Sequence, residues 1–220
     1  MTEQLDRRAD TTRLQILRAA SGQFARKPYS LVSLDDILAD AEVTKGAMYF
    51  HFRSKYALAS AIIEHRTEVA RAAVDELLAR RLSGLETLID ICYLVAVEDI
   101  GDETARAGLN LLESIGRTEG LQRDFVGPWV AAFTAIARKA AKDGDLIAGR
   151  DSEGIAKLLI SMYLGLRQTS DLDEPEKFLT DLQNMWGLVL PGFVKADRID
   201  YLNQFIKRRT AVALRRAAPL

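Results

Sequence analysis

Of the residues that staple, chelate or stop a chain, the 220-residue sequence holds few: one cysteine, two histidines and five prolines. A lone thiol, Cys92, cannot close an internal disulfide, so nothing points to an oxidising compartment. His51 and His65 stand apart from any Cys, Asp or Glu cluster at metal-ligand spacing, and no metal or cofactor is implied. There is no Gly-rich phosphate loop, and Cys92 has no identifiable base and reads as a small buried hydrophobe; an enzyme is not the expectation. Long apolar runs are missing too. The longest near-apolar stretch, 125–137, is shorter than the roughly 20 residues of a membrane helix and is interrupted by Gly127-Pro128. The first eight residues, Met-Thr-Glu-Gln-Leu-Asp-Arg-Arg, lack the apolar centre of a signal peptide. The expectation is a soluble, cytoplasmic protein with no membrane partner.

What is present suits a helical globule. At 48% hydrophobic and 28% charged, the chain is neither collagen-like nor wholly disordered. Its length allows one sizeable domain, or a small one joined to a larger, with a real core. The net charge of −1 is spread unevenly. Residues 43–55 carry Lys45, Arg53, Lys55 and His51 without an acid, a sign of a local anion contact. A solvated charged face is the ordinary alternative.

Hydrophobic periodicity is helical almost throughout, with no sustained alternation and few β-branched residues. The first helix is predicted over 10–27, with Leu14, Leu17, Ser21 and Phe24 on one face, Ile16 and Ala20 beside it, and Lys27-Pro28 ending it. Ser33 with Asp36 reads as a capping-box variant opening 34–40, and Thr44 caps a short helix to about residue 50. Ser54 caps a long one over 55–80, and Ser83 with Glu86 opens 84–99. Further helices are predicted over 103–115, 121–142, 152–170, 175–190 and 197–217, separated by short Gly-, Asp- and Pro-bearing breaks that include 116–120. The fold class is all-α.

Residues 34–51 form two short helices joined by a turn of about four residues, which is helix-turn-helix geometry. Leu34, Ile37, Leu38, Ala41, Val43, Met48 and Phe52 would face the core. Thr44, Lys45, Ala47, Phe50 and His51 then point outward, with Tyr49 at the edge. A helix of roughly 12 Å fits a major groove about 12 Å wide. The Thr44 hydroxyl and the free N–H groups beside it suit a phosphate. Lys45 can reach a base edge or a phosphate, and Gly46 permits close approach. Tyr49 and His51 can donate to phosphate oxygens, Lys55 is a flanking cation, and Ala47 and Phe50 offer apolar contact to a thymine methyl.

The run from Thr44 through Lys-Gly-Ala-Met-Tyr-Phe-His-Phe-Arg-Ser to Lys55, preceded by a helix ending in Phe24-Ala25, resembles the DNA-binding region of the TetR family over residues 11–63. The Tyr-Phe-His-Phe version is most similar to the γ-butyrolactone receptor branch. That resemblance implies an N-terminal three-helix unit (1–54) with a helix-turn-helix, and a larger C-terminal effector-binding and dimerisation domain (55–220). It implies a ligand-responsive repressor that binds palindromic double-stranded operator DNA as a homodimer. Carried over by position, Lys45, Gly46, Ala47 and Phe50 would face bases, and Thr44, Tyr49, His51 and Lys55 phosphates, with Ser33 beside them. Three positions depart from the family pattern: Pro28 replaces a Gly, Val32 a phosphate-touching Thr, and Glu42 the usual turn Gly. Glu42 is expected to point away from DNA. A helical interaction or adaptor domain without DNA binding is the other reading.

The C-terminal part follows the family by position, with a local similarity around residues 106–142. There the resemblance implies that Trp129 lines an effector cavity, and Phe125 and Phe133 extend it into an aromatic stripe at helical spacing. Such a stripe is also a common core feature. Cys92, Leu109, Leu112, Met162 and Leu166 could complete an apolar pocket for a small hydrophobic, γ-butyrolactone-like effector, with Asn110, Ser161, Tyr163 and Gln168 as polar contributors. Residues 152–190, with Ile155, Leu158, Leu159, Met162 and Leu166, then Phe178, Leu182, Met185, Trp186 and Val189, suit a dimer interface or burial within one subunit. The arginines of the last helix, 208, 209, 215 and 216, read as a solvated face.

Overall fold

Pro28 sets the first boundary. It has no N–H for the carbonyl four residues back, and α1 (Thr2–Arg26) stops just before it. The computed structural model describes residues 2–116 and 121–217, with side chains for 10–116 and 123–217. Within them follow α2 (Leu34–Ala41), α3 (Lys45–His51), α4 (Lys55–Leu78), α5 (Gly84–Gly101), α6 (Glu103–Ile115), α7 (Leu121–Lys142), α8 (Ser152–Thr169), α9 (Pro175–Val189) and α10 (Ala196–Ala217). No strand forms among the described residues beyond one isolated bridge between Leu146 and Val194. The fold is all-α, as the periodicity predicts. Most of the predicted break at 116–120 lies outside the described residues.

Polar caps fix several helix starts. Ser33 and Asp36 exchange bonds at the head of α2, and Ser83 and Glu86 do so at the head of α5. Asp102 and Asp151 each accept from two backbone N–H groups opening α6 and α8. Such caps contribute about 1 kcal/mol apiece. α7 runs through Pro128 although the ring removes one ladder bond.

The helices sort into two compact units: the first takes Met1–Ala70 and Asp102–Arg123, the second Arg71–Gly101 and Asp124–Leu220. In the first, α1 packs on α6 and α2. Its core is Ile16, Ala20, Phe24, Ile37, Met48, Phe52, Leu58 and Ile62, all buried. Leu14 corrects the predicted face: it is 62% exposed, because the buried arc of α1 runs through Ile16, Ala20 and Phe24. α6 lies close to α4, and a Cβ at Gly108 would sit 2.9 Å from Arg66 Cβ.

In the second unit, α10 packs on α5 and α9, and α8 on α9. The start of α5 presses on α7 so tightly that a Cβ at Gly84 would lie 2.2 Å from the Ala140 nitrogen. Ion pairs join segments distant in sequence inside this unit: Arg167 with Asp99 at 2.6 Å, Arg198 with Asp145 of the connection after α7 at 2.8 Å and Arg209 with Asp90 at 2.5 Å. Trp186 and Leu159 are fully buried, as are Phe178 and Leu182, so these apolar residues of α8 and α9 build the subunit's own core. Of the expected set Leu158 stays on the exposed faces, together with Gly165, Gly187 and Leu188.

Candidate nucleic-acid interface

α2 and α3 meet through Glu42, Val43 and Thr44. Glu42 adopts φ 53° and ψ 37°, the left-handed conformation in which Gly is at ease and Glu is strained. Its N–H nevertheless closes α2 on the carbonyls of Ala39 and Leu38. Thr44 then caps α3, its hydroxyl accepting from the Ala47 N–H at 3.2 Å.

Helical spacing divides α3 into two faces. Met48 and, just beyond the helix, Phe52 are buried; Arg13 of α1 lies over the Phe52 ring at 5.3 Å. Thr44, Lys45, Gly46, Tyr49 and Phe50 are exposed, and Ala47 and His51 are half-buried. Phe50 is 79% exposed, its ring meeting the edge of His51 at 5.0 Å. Leaving a Phe in water forgoes about 2 kcal/mol of burial, and the protein's own packing gives no reason for this ring. Gly46 points the same way. A Cβ there would meet only Thr44 Oγ1 at 3.9 Å, so nothing inside the protein requires a bare backbone.

Ser33 is exposed at the head of α2, its oxygen accepting from the Asp36 N–H at 3.0 Å. Hydrogen bonds from Ser33 hold the Asp36 carboxyl below its ordinary range. Val32, in the place of the family's Thr, is buried and offers no side chain to a phosphate. Lys55 has a different occupation from the outward site residues. Its ammonium donates to the carbonyls of Tyr29 at 2.8 Å and Val32 at 2.9 Å and lies 4.2 Å from the Tyr29 ring centroid. Burial lowers its pKa. Lys55 thus ties the turn before α2 to the start of α4. That turn also displays Leu31, 70% exposed, which the periodicity gave no reason to single out.

The candidate effector residues divide between the units. Phe125, Trp129 and Phe133 form a half-buried stripe on α7, while Cys92, Met162 and Leu166 are buried in the second unit. Burial pushes the Cys92 thiol up to about 12. Leu109 and Leu112 are buried on α6 in the first unit. Of the polar candidates, Tyr163 donates to Asp99 at 3.0 Å inside the core, and Asn110 donates to two carbonyls of α1. Ser161 and Gln168 are exposed.

Residues 16–62 match the family described as bacterial regulatory proteins, tetR family. The structure of CprB from Streptomyces coelicolor is similar over 92% of this chain and 98% of that one, with a TM-score of 0.78 and 30% identity. The chain belongs to the TetR family. A second CprB structure, in complex with its biological operator sequence, covers 91% of this TetR-family chain and 97% of that one, with a TM-score of 0.75 and 29% identity. A crystal structure of a gamma-butyrolactone receptor, an ArpA-like protein, covers 92% and 98%, with a TM-score of 0.76 and 27% identity. The A-factor receptor protein of Streptomyces griseus is 30% identical over 189 residues, 84% of this chain and 64% of that protein's length. These neighbours place the chain in the ArpA-like branch of the TetR family.

Proposed function

We propose that this chain is a ligand-responsive transcriptional repressor that binds a palindromic operator as a homodimer and is released by a small lipophilic effector. The outward face of α3 carries the reading. Lys45, Gly46, Tyr49 and Phe50 are presented to solvent while Met48 and Phe52 anchor the helix from behind. A cation, a bare backbone, a phenol and an apolar ring on one short helix match what a major groove offers. In this reading residues 1–54 bind DNA, with Ser33, Thr44 and His51 at phosphates, and residues 55–220 serve the effector and the dimer.

The operator-bound CprB structure supports the DNA partner, and the receptor names of the relatives support a γ-butyrolactone-like effector beside Trp129. The exposed faces of α8 and α9 support the homodimer. Cβ atoms at Gly165 and Gly187 would meet nothing within 4 Å, and Leu158 and Leu188 stand exposed at 43% and 80%. Small residues beside exposed leucines let a partner's helices approach closely. No described helix is long and apolar enough to cross a membrane, and the site of action is the cytoplasm, where the DNA is. No catalytic step belongs to this reading, and a helical adaptor fits the exposed α3 face less well.

Gel-shift and anisotropy assays with the DNA upstream of the chain's own gene test it. Wild type should bind, with a log–log salt slope of about −0.9 per phosphate neutralised. Combining Lys45→Ala, Tyr49→Phe and Phe50→Ala should abolish specific binding. An alkyl-bearing γ-butyrolactone should release the wild-type complex but not one made by Trp129→Ala. Undiminished binding by the triple variant would refute the reading.

A further inference from the structure

We propose that Asn110 of α6 is a positioning residue for operator binding, capping α1 from 86 positions further along the chain and so holding the frame on which α3 sits. The proposal rests on the repressor reading above.

α1 cannot finish its own hydrogen bonding. In a continuing helix the N–H of residue 28 would bind the carbonyl of Phe24, and Pro28 has no N–H to give. Asn110 supplies the missing donor. Its Nδ2 lies 3.0 Å from the Phe24 oxygen and 3.1 Å from that of Ala25. A primary amide carries two N–H groups, so both bonds can form together.

Other ties converge on the same turn. Buried Gln23 donates to Asp40 near the end of α2. Phe24 stacks on Tyr29 with ring centroids 5.8 Å apart, and Lys55 holds the carbonyls of Tyr29 and Val32. Arg26 pairs with Glu103, the first residue of α6, at 2.7 Å. The end of α1 is therefore a hub joining α6, α2 and the start of α4. Since only Glu42, Val43 and Thr44 separate α2 from α3, a displaced hub displaces the reading helix.

Two substitutions separate the donor from the space it fills. Asn110→Asp keeps the shape and removes the N–H groups, whereas Pro28→Ala returns an N–H to the Phe24 carbonyl. Affinity is measured for a duplex selected by wild type from a random-sequence pool, at a temperature where circular dichroism shows every variant folded. Amide exchange of residues 29–33 is followed in parallel. Asn110→Asp and Asn110→Ala should each weaken binding about tenfold, the weight of two neutral hydrogen bonds withdrawn from the competent conformer. Pro28→Ala alone should stay within about twofold, and added to Asn110→Ala it should recover most of the loss. Exchange at residues 29–33 should quicken in the Asn110 variants and slow again in the double variant. Asn110 variants that bind like wild type, or a double variant as weak as the single, overturn the proposal. If wild type selects no duplex, the repressor reading falls and operator positioning with it. Exchange then judges the cap alone: faster rates restored by Pro28→Ala uphold it, and unchanged rates refute it.

Discussion

Every carboxylate buried among the described residues lies in the second unit: Glu86, Asp90, Asp99 and Asp145. Among its described residues the first unit encloses none, and Arg66, the one charged side chain buried there, runs beneath Gly108 of α6. The units thus use charge in opposite ways. The first unit keeps Lys45 outside, on the face proposed to meet an anionic partner. The second unit turns charge inward, and each buried acid is answered by a side chain far along the sequence. Apolar packing and hydrogen bonds define the first interior; ion pairing has to help define the second.

Arg167→Met would break this contrast most severely. Asp99 and Arg167 are both almost wholly buried, and removing one partner leaves an uncompensated charge, which costs about 3–5 kcal/mol. The urea midpoint should fall sharply, while adding Asp99→Leu should restore much of it because neither charge then remains. A single variant as stable as wild type would mean that Asp99 finds other support.

In the first unit the sharper tests lie on the surface. Gly46→Ala should stabilise the fold by roughly 0.5–1 kcal/mol, since a methyl meets nothing closer than Thr44 Oγ1 at 3.9 Å. It should weaken operator binding by about tenfold, because the methyl stands where the duplex must approach. Thermal melts and anisotropy titrations should therefore move in opposite directions. Glu42→Gly should relieve the left-handed strain and stabilise by up to about 1 kcal/mol, leaving operator binding no weaker.

The smallest effect concerns acid. Burial pushes Glu86 up, but hydrogen bonds from Tyr201 and Ser83 outweigh it and leave the carboxyl below the ordinary glutamate range. Burial prevails at Asp90, one turn on, and leaves it above the ordinary aspartate range despite Arg209. Glu86 therefore contributes stability that is present above its unfolded pKa and lost as pH falls through the folded one. Asp90 does the reverse, binding its proton more readily in the folded state. In urea midpoints from about pH 6 to 3, Glu86→Gln should flatten the acid decline and Asp90→Asn should steepen it.

The same contrast explains what could be read from the chain. The helix-turn-helix is contiguous, with its caps, core positions and outward residues all within 33–55, so local periodicity reaches it. The helices 103–115 and 121–142 also fall where the pattern put them. The TetR-family reading rests on this segment because its partner, the duplex, has the same chemistry for every member. Lys55 shows the limit: a flanking cation and a carbonyl clamp look alike in sequence, and only the fold brings Tyr29 and Val32 to it. Trp186 and Leu159 show another, since apolar spacing is the same whether the buried face meets a second copy or the chain's own core. Asp99 and Arg167 lie 68 positions apart, a separation no periodicity spans. Asn110 interrupts an apolar run and so drew attention, but its partners, two carbonyls in α1, carry no side-chain signature.

Cys92 has a practical consequence. Only the thiolate reacts with alkylating reagents, and a thiol held at about 12 presents about one thiolate in 10⁵ at neutral pH. With no other cysteine in the sequence, the native protein should stay unmodified under maleimide or methanethiosulfonate. A cysteine introduced at exposed Arg53, two residues past the end of α3, would then carry a spin label alone. In a dimer, electron–electron distances between two such labels would follow the separation of the reading helices as effector is added.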